Sequence, residues 1–189
     1  MNFLAHAYLS PDNPLIMLGN TFGDFVKGKK MEEVHPMVKE GVLLHRKIDH
    51  FTDNHELVKK CVEIYRPVSG RFSAIVVDMS FDYFLAKNWV KYSELDLDEF
   101  VTALFVKYEG NRTSLTERIN MIAPIMKMQE WMLQYQTIDG LGNILKQMSG
   151  RIKNRAVLQD AIPVLVENEA ELEELFTEFF TDLVQEFKA

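Results

Sequence analysis

Apolar residues recur at helical spacing along most of the chain, and the breaks between these runs divide it into segments. A short helix is expected over 2–9. Ser10 to Pro14 make a turn, with Pro14 suited to the first position of a helix over about 14–27 whose apolar side is Leu15, Leu18, Phe22 and Val26. Gly19 and Gly23 share another face, where a neighbouring helix can come close. Residues 29–38 read as loop. Val42, Leu44, Ile48 and Phe51 mark a helix over 41–51, and Thr52 and Asp53 stand before Glu56 at the spacing of a capping box that starts the next helix, 54–66, ended by Pro67 and Gly70. Ile75-Val76-Val77 alone would suit a buried strand. The period set by Phe72, Ile75, Val76, Met79, Tyr83 and Ala86 is helical, however, and predicts a helix over 71–92. Further helices are expected over 97–109, 114–123, 124–136 (divided at Pro124), 140–149 and 156–187, the last interrupted near Pro163. The last run has a core side of leucines and phenylalanines and a wet side of glutamates. The expected fold is a single all-α domain over residues 1–189, a helical bundle.

Composition narrows this picture. The 189 residues suffice for one domain with a substantial core, and 47% hydrophobic residues argue against disorder. Cys61 is the only cysteine, so no intrachain disulfide can form, which favours a reducing compartment. Its apolar helical neighbours suggest a core position rather than a nucleophile. The start of the chain lacks a basic leader, and no apolar run is long enough to span a membrane; a cytoplasmic protein is expected. Residues 1–91 carry 12 basic against 11 acidic side chains, and residues 92–189 carry 9 against 17. The acidic balance disfavours nucleic acid as a partner, and an anionic partner is expected on the N-terminal half.

Candidate chemistry also lies in that half, where the active site is expected from helices within residues 1–92. Four expected helices each present a polar pair at i, i+4: Asn2/His6, Asn20/Asp24, His45/Asp49 and Asp78/Asp82. Burying carboxylates is costly unless they are paired or bind a cation, and inward-facing polar residues from facing helices build metal sites in bundles. Mixed histidine and aspartate ligands suit Mn²⁺ or Mg²⁺, with Zn²⁺ an alternative. The competing interpretation is a set of surface pairs and caps. The chain has no Gly-rich phosphate loop, no HExxH and no GxSxG. Met121, Met126, Met128 and Met132 read as core filling or as a flexible groove.

The ordered segments MNFLAHAYLS, GNTFGDFVKG, GVLLHRKIDHFTDNH and DMSFDYFLAKNW, with EWMLQYQTIDGLGNILKQMSGR at 130–151, resemble the acyl carrier protein phosphodiesterases. The likeness spans roughly residues 1–151. It implies a divergent all-α scaffold related to the HD-type phosphohydrolases. It also implies a metal-dependent hydrolase, usually active with Mn²⁺, that removes 4′-phosphopantetheine from holo-acyl carrier protein. On that resemblance, His6, Asp24, His45 and Asp78 are the expected metal ligands. Asp24, His45, Asp49 and Asp82 are the expected catalytic residues, and Arg46, Lys27 and Arg71 are expected to bind the substrate phosphate. The acidic carrier would dock on the N-terminal half. Tyr83 departs from the family, which commonly has histidine there. The alternatives are an HD-like phosphohydrolase acting on a nucleotide or other small phosphoester, and a non-catalytic helical module that binds carrier protein.

Overall fold

A computed structural model describes residues 1–150 and 158–188, Lys29 in its backbone only, and the described residues contain no β-strand. Helix α1 (Phe3–Tyr8) is capped by the Asn2 side chain, and α2 (Pro14–Thr21) by Asn13, whose side chain accepts the N–H groups of Leu15 and Ile16. The long α3 (Pro36–Asn54) and α4 (Glu56–Ser69) follow, then α5 (Ser73–Lys87), α6 (Leu97–Asn111), α7 (Glu117–Met128) and the single turn α8 (Trp131–Gln134). The chain continues through α9 (Ile138–Ser149) and α10 (Ile162–Glu167) to α11 (Glu169–Phe187). The all-α expectation holds. No helix of the described residues is long and apolar enough to cross a membrane.

Several boundaries differ from the sequence reading, each for a local reason. The 14–27 helix stops at Thr21, and Gly23–Phe25 form a 3₁₀ turn that drops Val26 into the core, so Asn20 and Asp24 do not share a helical face. The segment expected as loop contains a second 3₁₀ turn, Gly28–Glu32, and α3 begins early because Pro36 occupies its first turn. Thr52 is buried inside α3. The cap of α4 is His55, whose imidazole nitrogen accepts the Leu57 N–H, in place of the expected capping box. Pro67 is tolerated inside α4, and Pro124 inside α7. The actual break comes at Glu130, which takes a left-handed φ of 50° as the chain turns to bury Trp131. Near the C-terminus the interruption falls at Asn168, with Pro163 in the first turn of α10; residues 156 and 157 of that expected helix lie outside the described residues.

Helix α5 runs through the core, with Val77, Phe81, Phe84 and Leu85 fully buried. Phe81 meets Phe176 and Phe179 of α11 at ring distances of 5.4 and 5.2 Å, an aromatic layer that fastens the C-terminal helix. Full burial of a side chain of this kind contributes roughly 1.5–3 kcal/mol. A second contact positions the site. Helices α2 and α3 cross at Gly19 and Gly41, where a Cβ on Gly41 would lie 2.1 Å from the Ile16 carbonyl oxygen and one on Gly19 2.2 Å from that of Val38. Only glycine allows the two backbones this close, and the approach presses the end of α2 against the middle of α3.

Candidate metal centre

The α2/α3 contact places the backbone carbonyl of Asn20 2.8 Å from His45 Nδ1. A carbonyl only accepts, so Nδ1 carries the proton and the neutral ring has a bare Nε2. The Asn20 side chain performs the same service for His6. Its NH₂ donates to the His6 carbonyl at 2.8 Å and to Ser10 Oγ at 2.9 Å, which fixes Oδ1 as the atom 3.0 Å from His6 Nδ1. One buried asparagine thus sets the tautomer of both histidines. The two rings stack 4.0 Å apart at 27°. Their Nε2 atoms turn to one carboxylate: His6 Nε2 lies 3.1 Å from Asp49 Oδ1, and His45 Nε2 lies 3.2 Å from Asp49 Oδ2.

These atoms form a cluster in which one donor from each of His6, His45 and Asp49 lies within 4.8 Å of the others. Despite its short distance to Asp49, His45 Nε2 is buried without a partner in hydrogen-bond geometry. Burial drives the His6 imidazole pKa down to about 4, so the ring is neutral at ordinary pH. With both Nδ1 atoms directed at Asn20, both Nε2 atoms converge on one carboxylate, a donor arrangement that a divalent cation would stabilise. Nδ1–H bonds to Asn20 are the outer support that metal-binding histidines ordinarily have. The donor set fits a divalent cation.

Beside the cluster stands Asp24, which the 3₁₀ turn holds largely exposed with Oδ1 4.0 Å from His45 Nε2 and 3.8 Å from Lys27 Nζ. Gly23 makes this possible, since a Cβ there would lie 2.5 Å from His45 Cγ. Asp78 is engaged elsewhere: its Oδ1 lies 2.8 Å from the Met1 amino group, which is itself 4.0 Å from Asp49 Oδ1. Asp82 is fully buried and accepts the N–H groups of Leu4 at 2.9 Å and Ala5 at 3.3 Å, so it anchors the start of α1, and burial raises its pKa to about 7. Arg46 lines a groove of about 710 Å³ formed with Leu43, Lys47 and Phe51 of α3 and Phe187 of α11. Arg71 lies in the turn before α5, 4.8 Å over the Phe72 ring. The structure therefore brings together His6, His45, Asp49, Asp24 and Lys27, and gives Asp82, Arg46 and Arg71 other surroundings. Cys61 is buried in the core, and burial pushes its thiol up to about 12, consistent with an inert residue.

A family model described as acyl carrier protein phosphodiesterase matches residues 1–183. The chain belongs to the acyl carrier protein phosphodiesterase family. Among curated proteins, the acyl carrier protein phosphodiesterase of Klebsiella pneumoniae (strain 342) is 30% identical over 186 residues, covering 98% of this chain and 96% of the relative. That of Serratia proteamaculans (strain 568) is 28% identical over 189 residues, covering 100% and 98%. The protein of that name from Escherichia coli O157:H7 is 30% identical over 181 residues, covering 95% and 94%. No solved structure matches the chain. Tyr83 does not face the cluster: its hydroxyl donates to Glu169 Oε1 of α11 at 2.7 Å. Spacing marks Asn20 only as half of the Asn20/Asp24 pair and not as the residue that orients both histidines. Its Asn-x-x-x-Asp pattern was visible, but its role depends on a helix crossing that the sequence signals only through Gly19.

Proposed function

We propose that this chain is a metal-dependent phosphodiesterase that hydrolyses holo-acyl carrier protein, releasing 4′-phosphopantetheine and leaving the apo-protein. The observation that carries this reading is the convergence of His6, His45 and Asp49, with His45 Nε2 unpartnered, in a chain of this family. His6, His45 and Asp49 would hold the ion, proposed to be Mn²⁺ with Mg²⁺ and Zn²⁺ as the other candidates, and Asp24 stands beside them with Oδ1 4.0 Å from His45 Nε2. A divalent cation there supplies Lewis acidity toward water and the phosphoryl oxygens.

The remaining work falls to the chain. Water adds to phosphorus and the phosphorus–oxygen bond to the carrier serine breaks, its electron pair leaving with the serine oxygen, which takes up a proton. Asp24, exposed beside the centre, accepts the proton of the attacking water. Lys27, on the same turn, offsets negative charge gathering on the phosphate. Asn20 keeps both imidazoles in the tautomer that points Nε2 inward.

Incubation with Mn²⁺ and holo-acyl carrier protein tests the reading. The expected result is loss of the phosphopantetheine mass from the carrier. Turnover of nucleotides alone would favour the small-phosphoester alternative, and a carrier complex without turnover would favour the binding module.

A further inference from the structure

A solvent-open groove of about 610 Å³ begins at Asp24, and its five lining residues are Asp24, Phe25, Lys27, Lys30 and Arg118. Three of these are cations on a protein of net charge −7. Lys27 is loosely engaged by Asp24 at 3.8 Å. Among the described residues no carboxylate lies within 4.0 Å of Lys30 or Arg118, a state they share with Arg46, Lys47, Arg71 and several other cations; what sets these two apart is that they line one groove with Lys27. Arg118 comes from α7, a helix remote in sequence from every residue of the centre. Along that helix, Arg118, Met121, Ile125 and Met128 follow at three, four and three residues and share one face. The opposite face, Ile119, Ala123 and Met126, is buried, while Met121, Ile125 and Met128 are 57%, 43% and 75% exposed. An exposed strip of adaptable apolar side chains thus starts at the cationic rim of the groove.

We propose that this strip and rim, Lys30 and Arg118 with Met121, Ile125 and Met128, form the docking surface for an acidic helical protein face, the carrier surface around the modified serine. The identity of the occupant rests on the proposed function. Charge complementarity selects it: unpaired cations at the rim meet carboxylates, while the apolar strip receives the alternating apolar positions of a helix. The glutamate-lined α11 would repel the same partner, and on this docking the phosphodiester would lie over the groove beside Asp24. A small phosphate ligand would need the cations but would have no use for the methionines.

The test measures binding of apo-acyl carrier protein, together with kcat and KM on the holo-carrier, for wild type, Arg118→Glu and Met121→Glu. Arg118→Ala serves as a milder variant, and circular dichroism monitors the fold. The expected result is binding weakened about tenfold or more in each charge variant, KM raised in parallel, kcat little changed, and a milder loss in Arg118→Ala. Rising salt should weaken wild-type binding and narrow the gap to Arg118→Glu. Unchanged binding in both glutamate variants would overturn the proposal, and the proposed function would stand if wild type still cleaved the holo-carrier. An equal loss on bis(p-nitrophenyl) phosphate would also overturn it, since Arg118 would then contact the phosphoryl group rather than the carrier. If wild type cleaved no carrier yet bound it through Arg118, the docking surface would stand and the hydrolase reading would fall.

Discussion

The imidazoles of His6 and His45 lie ring over ring at 4.0 Å, and both point Nε2 at the same Asp49 carboxylate. Neither ring can turn away, because Asn20 holds both Nδ1 atoms, one through its side chain and one through its carbonyl. A cation is the economical solution to three electron-rich groups aimed at one point.

Asn20 is therefore the positioning residue of the centre. Asn20→Ala removes the His6 restraint and leaves the His6 carbonyl and Ser10 without their donor, while the backbone hold on His45 survives. Divalent-ion affinity is expected to fall about 10- to 100-fold, with a stability loss of about 1–3 kcal/mol. Calorimetric titration of Mn²⁺ and denaturant unfolding check the two effects; unchanged affinity would show that the Nδ1 bonds do not matter.

Gly23→Ala places a methyl group against the His45 ring, 2.5 Å from Cγ. Either the ring or the turn that carries Asp24 must move. Displacements of this size cost about 100-fold in rate, and the helical circular dichroism signal should be retained. Steady-state kinetics on the holo-carrier read the effect.

The Asp82 carboxyl titrates at about 7 in the folded protein against 3.8 in the unfolded chain. Between these values the folded state retains a proton that the unfolded state has lost. This residue therefore favours folding fully below about pH 4, and the contribution is lost as pH rises through about 7, by up to about 4 kcal/mol. Asp82→Asn should lack this slope, so its stability relative to wild type should improve between pH 4 and 7.5. Urea unfolding across that range measures it, and a pH-independent difference would contradict the assignment.

Tyr83→Phe should leave turnover within about twofold of wild type, because the hydroxyl serves Glu169 and not the cluster. Its loss should cost about 1 kcal/mol, since Lys87 still binds Glu169 at 2.9 Å. A kinetic collapse would mean that Tyr83 reaches the substrate.

The helical period made the fold class legible, and spacing marked His45 and Asp49 because both lie within one uninterrupted helix. The other pairs were harder to interpret. Asn20 and Asp24 are split by the turn at Gly23, and Asp78 and Asp82 share α5 with different partners, the Met1 amino group and the α1 amides. Spacing reports which residues share a face; it does not report what packs against that face. Arg118 illustrates the limit, since only the tertiary fold brings α7 beside residues 24–30.

The central claim is that His6, His45 and Asp49 hold one divalent cation. Titrating Mn²⁺ into chelator-stripped protein, with free ion followed by electron paramagnetic resonance, tests it most directly. Wild type should take up one ion per chain, and His45→Ala should lose that site while staying folded. No uptake by wild type, or equal uptake by His45→Ala, would contradict the account.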